Sequence, residues 1–338
     1  MKTRGARLTC ILLCLPAAAA AQQAADENAV TVTATRTERP SLEVPASIDK
    51  LYGDDIHFAR PEVNLSESLG SVPGIVAQNR QNYAQDLQIS SRGFGARSTF
   101  GIRGLRLLVD GIPASMPDGQ GQVSNIDLGS ADRIEVLRGP FAVMYGNASG
   151  GVINVFTRDG AAEQGVEGRL EAGSFGTKRE SLQAGMRSGS MDWLASGAHF
   201  TTDGYRDHSA AKRDGANAKL RFGLGGDTTF TLIGNAFDSP NTQDPLGLTR
   251  AQAAADPSQS DPASTKFDTR KSVRQNQGGA TLEHRFGDNT LSATVYGGQR
   301  NVNQFLAFTG SAAPSAVAYG SAGGVVDLAT AYSGGGLR

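Results

Sequence analysis

The stretch "SSRGFGARSTFGIRGLRLLVDGIP" (residues 90–113) holds five glycines and four arginines around a short apolar run. Two readings compete, and each implies a different fold. A glycine-rich loop with basic residues can cradle phosphate in a nucleotide-binding α/β domain. In a small domain of short strands, the glycines instead permit tight, positive-φ turns. The dinucleotide fingerprint fails, because Gly93-x-Gly95 is followed at the third place by Ser98. No G-x-x-x-x-G-K-[ST] occurs in the chain. "LRLLVDGIP" (105–113) therefore reads as a strand running into a turn at Asp110-Gly111, a pair compatible with several turn types.

The neighbouring sequence has the same texture. "ASIDKLY" (46–52), "LQISSRG" (87–93), "RIEVLRG" (133–139) and "GVINVFTR" (151–158) are short strands bounded by glycine, proline or aspartate. "NLSESLGSVPGIV" (64–76) reads as a short helix with Asn64 or Ser66 as N-cap, ended by Pro73-Gly74. Residues 44–158 are thus expected to form one small mixed α/β domain.

From about Gly165 the pattern changes to segments near ten residues with period-two alternation. Leu220, Phe222 and Leu224 alternate with Lys219, Arg221 and Gly223, and Leu282, His284 and Phe286 with Thr281, Glu283 and Arg285. Leu291, Ala293 and Val295 alternate with Ser292, Thr294 and Tyr296. Very short connections ("GGD", "GD") interchange with long polar ones such as 238–270. Short turns on one side and long loops on the other describe a transmembrane β-meander, with a soluble β-sandwich as the alternative. Seven or eight strands are expected. A barrel wide enough to be plugged needs about 22 strands, on the order of 550 residues, so the chain reads as stopping inside a larger barrel.

"MKTRGARLTCILLCLPAAAAAQQ" has basic residues, an apolar core too short to span a bilayer, and an A-x-A site before Gln22. Residues 1–21 are expected to be a secretory leader. Both cysteines, Cys10 and Cys14, fall within it, which excludes thiol and Cys-metal chemistry from the remainder. In the polar segment 22–43, "AVTVTATR" (29–36) alternates like a strand. It suits either strand addition to another protein or the first edge strand of the next domain. A formal net charge of −1 gives no support to nucleic-acid binding. His57, His199, His208 and His284 form no metal-ligand spacing, and "DGQGQ" has too few carboxylates for a calcium loop. Neither enzymatic activity nor a bound cofactor is expected.

Five motifs carry a resemblance: "SLGSVPGI" (68–75), "ISSRGFG" (89–95), "LLVDGIP" (107–113), "IEVLRGP" (134–140) and "MYGNASGGVINVFTR" (144–158). In this order and spacing the chain resembles the TonB-dependent outer-membrane receptors. "NRQNYAQDL" (79–87), "RGFGARSTFGIRG" (92–104) and "MPDGQGQ" (116–122), with residues 199–220, look like its YncD-type subgroup. The resemblance implies an α+β plug domain (44–158) followed by the N-terminal part of an antiparallel transmembrane β-barrel (159–338), 22-stranded when complete. It implies a monomeric importer in the outer membrane, against lipid and lipopolysaccharide, driven by the TonB–ExbB–ExbD complex. Ala29, Val30, Thr31, Val32, Thr33 and Ala34 would be its TonB box, which favours strand addition.

By analogy with that family, the turns around 78–86, 95–104 and 115–122 face the outer mouth. Arg80, Asn82, Tyr83, Arg97, Met116, Asp118, Gln120 and Gln122 are the ligand-binding candidates, and Tyr205, Arg206 and His208 are weaker ones. Arg92, Glu135 and Arg138 would latch the plug to barrel-wall charges lying past residue 338. A passive porin or adhesin needs neither a plug nor a TonB box. A signalling receptor would carry an extra domain for which the run from Gln22 to Ala29 leaves no room. The ligand is expected to be a small molecule, either a ferric siderophore-type chelate or an anionic redox cofactor. Pyrroloquinoline quinone is the example the subgroup suggests, with carboxylates suited to Arg80 and Arg97.

Overall fold

The computed structural model describes residues 31–32, 39–40, 44–98, 101–162, 164–287, 289–307, 317–320 and 323–337. The leader and Ala29, Val30, Thr33 and Ala34 lie outside them. β1 (Thr31–Val32) and β2 (Arg39–Pro40) pair with each other, Thr31 opposite Pro40. Among the described residues they join neither larger sheet.

The first unit contains β3 (Ser47–Tyr52), α1 (Asp54–His57), α2 (Ser66–Leu69), β4 (Ile75–Gln78), β5 (Gln88–Ser91), β6 (Leu105–Val109), β7 (Ile112–Pro113), β8 (Ala131–Arg138), a 3-10 helix (Pro140–Tyr145) and β9 (Gly151–Thr157). Its main sheet has the order β3-β8-β9-β6-β7, with β6 and β9 parallel and the other pairs antiparallel. The apolar runs explain why β8 and β9 are central. Ile134 and Val136 pack into one buried cluster with Leu69, Ile89 and Leu107, while Leu137 and Val152 pack into a second beside the 3-10 helix. Strands buried on both faces read as continuous hydrophobic runs. The Asp110-Gly111 turn has φ of 47° and 81°, the double positive of a two-residue hairpin turn. At Gly95 (φ 83°) a β-carbon would sit 2.6 Å from the Arg103 carbonyl oxygen, so only glycine fits there.

Two local expectations fail. Leu65, in helical conformation, precedes α2, and neither Asn64 nor Ser66 caps it through a side chain. The Glu67 carboxylate instead accepts from the Asn64 N–H at 2.7 Å and the Val63 N–H at 3.2 Å. The helix also stops at Leu69, with Gly70 as its C-cap, and residues 75–78 form β4, which pairs with β5.

The second unit is one antiparallel sheet. It comprises β10 (Gly165–Ala172), β11 (Lys178–Ser188), β12 (Met191–Thr202), β13 (Ala211–Gly223), β14 (Thr228–Gln243), β15 (Arg270–Phe286), β16 (Asn289–Leu306), β17 (Val317–Gly320) and β18 (Gly323–Leu337). Spatial order follows chain order except that β18 lies between β16 and β17. The alternation places Leu220 opposite Leu232, Phe230 opposite Leu282, and Leu282 opposite Ala293, so these residues share one face. Leu182, Leu220, Leu282, Leu291 and Val295 are exposed on that outer face. The opposite face buries Arg179, Gln183, Asn217, Gln275 and Arg300 against the first unit. Apolar outward and polar inward is the transmembrane-barrel pattern. Near the short turns, Phe222 stacks on Phe230 with centroids 6.5 Å apart, and His284 on Phe286 at 6.0 Å.

Leu224 falls past the end of β13, in the turn. The long connection begins later than expected, since β14 runs to Gln243. It then holds α3 (Arg250–Ala255), opened by a Thr249–Gln252 capping box, and α4 (Pro262–Phe267), capped by Asp261. No helix among the described residues is long and apolar enough to cross a membrane, a criterion that does not test strands.

Candidate functional site

The turn after β4 lies at the long-loop end of the sheet. Asn82 donates through Nδ2 to Asp244 Oδ1 at 2.6 Å, and the Gln85 amide binds the other oxygen of Asp244. Arg80 is exposed, with a 3.3 Å bond to Gln85 Oε1, and Arg97 is exposed in the neighbouring turn. Asp118 is exposed and pairs with Arg103 at 2.8 Å. Met116 and Gln120 are half-buried beside it, joined by a 2.8 Å bond from the Met116 N–H to the Gln120 carbonyl. The structure therefore brings Arg80, Asn82, Arg97, Met116, Asp118 and Gln120 to three turns. Tyr83 and Gln122 have other employment. Tyr83 packs against Phe200 at 5.0 Å and beneath the Arg213 guanidinium at 5.0 Å, and burial pushes its hydroxyl pKa up. Gln122 is buried and accepts from Arg300 at 3.0 Å.

The weaker loop candidates act as braces. Arg206 donates to the carbonyls of Leu246 (2.6 Å), Gln259 (2.9 Å) and Pro245 (3.1 Å). His208 Nε2 lies 2.9 Å from the Thr269 carbonyl. Tyr205 is exposed and meets Phe175 edge-on at 5.3 Å.

Of the expected latch residues, Arg138 binds Asp49 and the Pro73 carbonyl, both within the first unit. Glu135 is buried and accepts from Arg133 at 3.0 Å. Arg92 (φ 48°) is exposed and donates its N–H to the Gly74 carbonyl at 2.9 Å.

The seam between the units is held by residues that sequence reasoning missed. Lys271 of β15 meets Asp86 at 2.7 Å. Burial alone would raise the Asp86 pKa, but the Lys271 ammonium holds it below the ordinary carboxylate value. Glu62 is buried, binds Arg169, and lies 3.1 Å from Arg179 and 2.7 Å from His57 Nδ1. Here too burial raises, while the His57 hydrogen bond and the two arginines lower, and the net shift is downward. Lys219 reaches Asp159 at 2.8 Å and the Thr157 carbonyl at 3.0 Å. Ser196 donates to Asp127 at 2.5 Å. The pairs made by Arg169, Arg179, Lys219 and Lys271 set a base on the sheet against an acid on the inner unit or its following linker, while Arg158–Glu167 at 3.7 Å runs the other way. Apolar contacts add to these, among them Tyr83 on Phe200 and Ile112 over Gly279, where a β-carbon would collide with it. Both hydrophobic clusters draw only on residues between Ala46 and Val155. The composition signal was present in the inward Lys and Arg of β10, β11, β13, β15 and β16, but their partners were not readable.

Comparison with known proteins gives concordant results. Residues 40–152 match the TonB-dependent Receptor Plug Domain. The chain is 31% identical over 159 residues to the vitamin B12 transporter BtuB of Vibrio vulnificus, covering 47% of this chain and 25% of that protein. It is 27% identical over 217 residues to the ferric enterobactin receptor of Pseudomonas aeruginosa, covering 60% and 24%. Among solved structures it resembles the unliganded ferric citrate transporter FecA (TM-score 0.64, 24% identity, 78% of this chain and 41% of that one). It also resembles the import receptor Fiu of E. coli K12 (TM-score 0.60, 20% identity, 89% and 46%). The chain thus spans about a quarter of the curated relatives it matches. These relatives are transporters and receptors, not enzymes. Residues 40–152 are therefore a TonB-dependent receptor plug domain, set against an antiparallel barrel sheet, on a chain whose relatives are those of the TonB-dependent receptor family.

Proposed function

We propose that the chain is the plug and leading barrel wall of an outer-membrane receptor that captures a scarce extracellular solute and imports it into the periplasm with energy from the TonB–ExbB–ExbD complex. In this reading 1–21 is the leader, 22–43 the periplasmic segment, 44–158 the plug and 159–338 the wall. The observation that carries it is the seam. The plug closes its hydrophobic core on its own residues and is tied to the wall by charged and amide pairs. Such a plug can leave the wall by exchanging each pair for water, without opening its core. The two-residue pairing of Thr31–Val32 is easily given up for a partner's sheet edge.

The relatives' names span vitamin B12, ferric enterobactin and hemin, so they single out no ligand. Exposed Arg80 and Arg97 favour an anion, either an iron chelate or a carboxylated cofactor such as pyrroloquinoline quinone. The test is titration of the full-length receptor with ferric enterobactin and with the quinone. Arg80→Ala and Arg97→Ala should each weaken the ligand that binds by about tenfold. Unchanged affinity rejects the site. Deleting residues 29–34 should stop uptake and spare binding. Uptake that survives the deletion points to a passive channel, and loss of binding contradicts the coupling role.

A further inference from the structure

We propose that the plug–wall seam contains a binding site for one small inorganic anion of halide size. The site is a cavity of about 30 Å³ between the plug and strands β13, β14, β15 and β16. That is room for one or two atoms of water size. Tyr83, Asp86 and Gln122 line it from the plug, and Arg213, Lys271 and Arg300 from the wall.

Three cations thus face one carboxylate. Asp86 is taken by Lys271 at 2.7 Å. Arg300 is buried, and its hydrogen bonds go to neutral oxygens: Gln122 Oε1 at 3.0 Å, Ser124 Oγ at 3.3 Å, and Gln275 Oε1. Arg213 likewise donates to the carbonyls of Tyr83 (3.2 Å) and Val63 (3.3 Å) and to Asn64 Oδ1 at 3.4 Å. Its Nε–H is buried with no acceptor. Glu67, the further carboxylate acting on Arg213, already accepts from the Val63 and Asn64 N–H groups.

Buried guanidinium groups that share too little counter-charge are costly, as is a buried donor without an acceptor. A monovalent anion meets both needs at once. Water could accept from the Arg213 Nε–H but would leave the charge excess untouched. The bound anion would tie wall to plug beside the turn that carries Arg80 and Asn82, and so act as a removable fastening in the seam.

The test is anomalous diffraction from crystals of the full-length receptor grown in sodium bromide. A bromide peak is expected in this cavity, within hydrogen-bond reach of Arg213 Nε. It should vanish in Arg300→Gln and persist in Arg300→Lys. No peak in the wild-type cavity, or a peak that survives both Arg213→Gln and Arg300→Gln, overturns the proposal. If the variants fail to fold, the wild type still decides. Exchanging chloride for gluconate at constant ionic strength should speed amide exchange over residues 83–87 by about threefold, the factor for chloride at twice its Kd. Unchanged exchange also overturns it.

Discussion

At the scale of single residues, Asp86 and Gly95 show how context decides. Asp86 would be an unfavourable carboxylate in a half-dry seam were Lys271 not beside it. Its folded pKa lies below the ordinary carboxylate value of about 3.9, so its stabilisation is present above that pH and is lost as pH falls through the depressed folded value. Lys271→Gln reverses the sign, because burial then raises Asp86. The variant should lose about 2 kcal/mol at pH 7, the usual cost of a broken buried pair discounted for partial exposure, and should recover part of it at pH 5. Denaturant midpoints of the full-length receptor at the two pH values check this, and equal losses at both would refute it. Gly95→Ala forces a β-carbon toward the Arg103 carbonyl at a positive φ and should cost about 2 kcal/mol by the same measurement.

At the scale of elements, legibility followed periodicity. The Leu220–Phe222 and Leu282–Phe286 alternations marked the strands and the residues that share a face, since a pleated strand has a period of two, and the structure turns that face outward. α2 was misread at its start because Glu67 can reach back to two backbone N–H groups, which Asn64 and Ser66 then need not cap. β4 was hidden because Ile75 and Val76 resemble a helix end until β5 supplies their partner. Leu282→Arg on the outer face should cost about 2–4 kcal/mol if the sheet meets hydrocarbon there. Refolding of the full-length receptor into lipid vesicles, read by urea titration, measures it, and a neutral effect would favour the soluble sandwich. Thr249→Ala removes one cap in an exposed helix and should cost about 1 kcal/mol locally, read as faster amide exchange in α3 alone.

At the scale of the whole molecule, a self-contained plug rests against a wall through pairs whose members are far apart in sequence. Arg300 and Gln122 are separated by 178 residues, and Lys271 and Asp86 by 185. No local pattern encodes such registers, which is why the motifs identified the plug while the seam stayed hidden. On the proposed function, the same arrangement would let a plug block a lumen and still be opened by a pull. The central claim is that import requires the plug to leave this wall. Its most direct test is a reversible tether between Asp127→Cys and Ser196→Cys, which replace partners in a 2.5 Å hydrogen bond, in the full-length receptor. The two cysteines are joined by a short bis-thiosulfonate reagent and released by reduction. With ferric enterobactin or pyrroloquinoline quinone as probe, whichever binds, the tethered receptor should bind normally, import nothing, and regain import on reduction. Undiminished import with the tether closed would contradict the account.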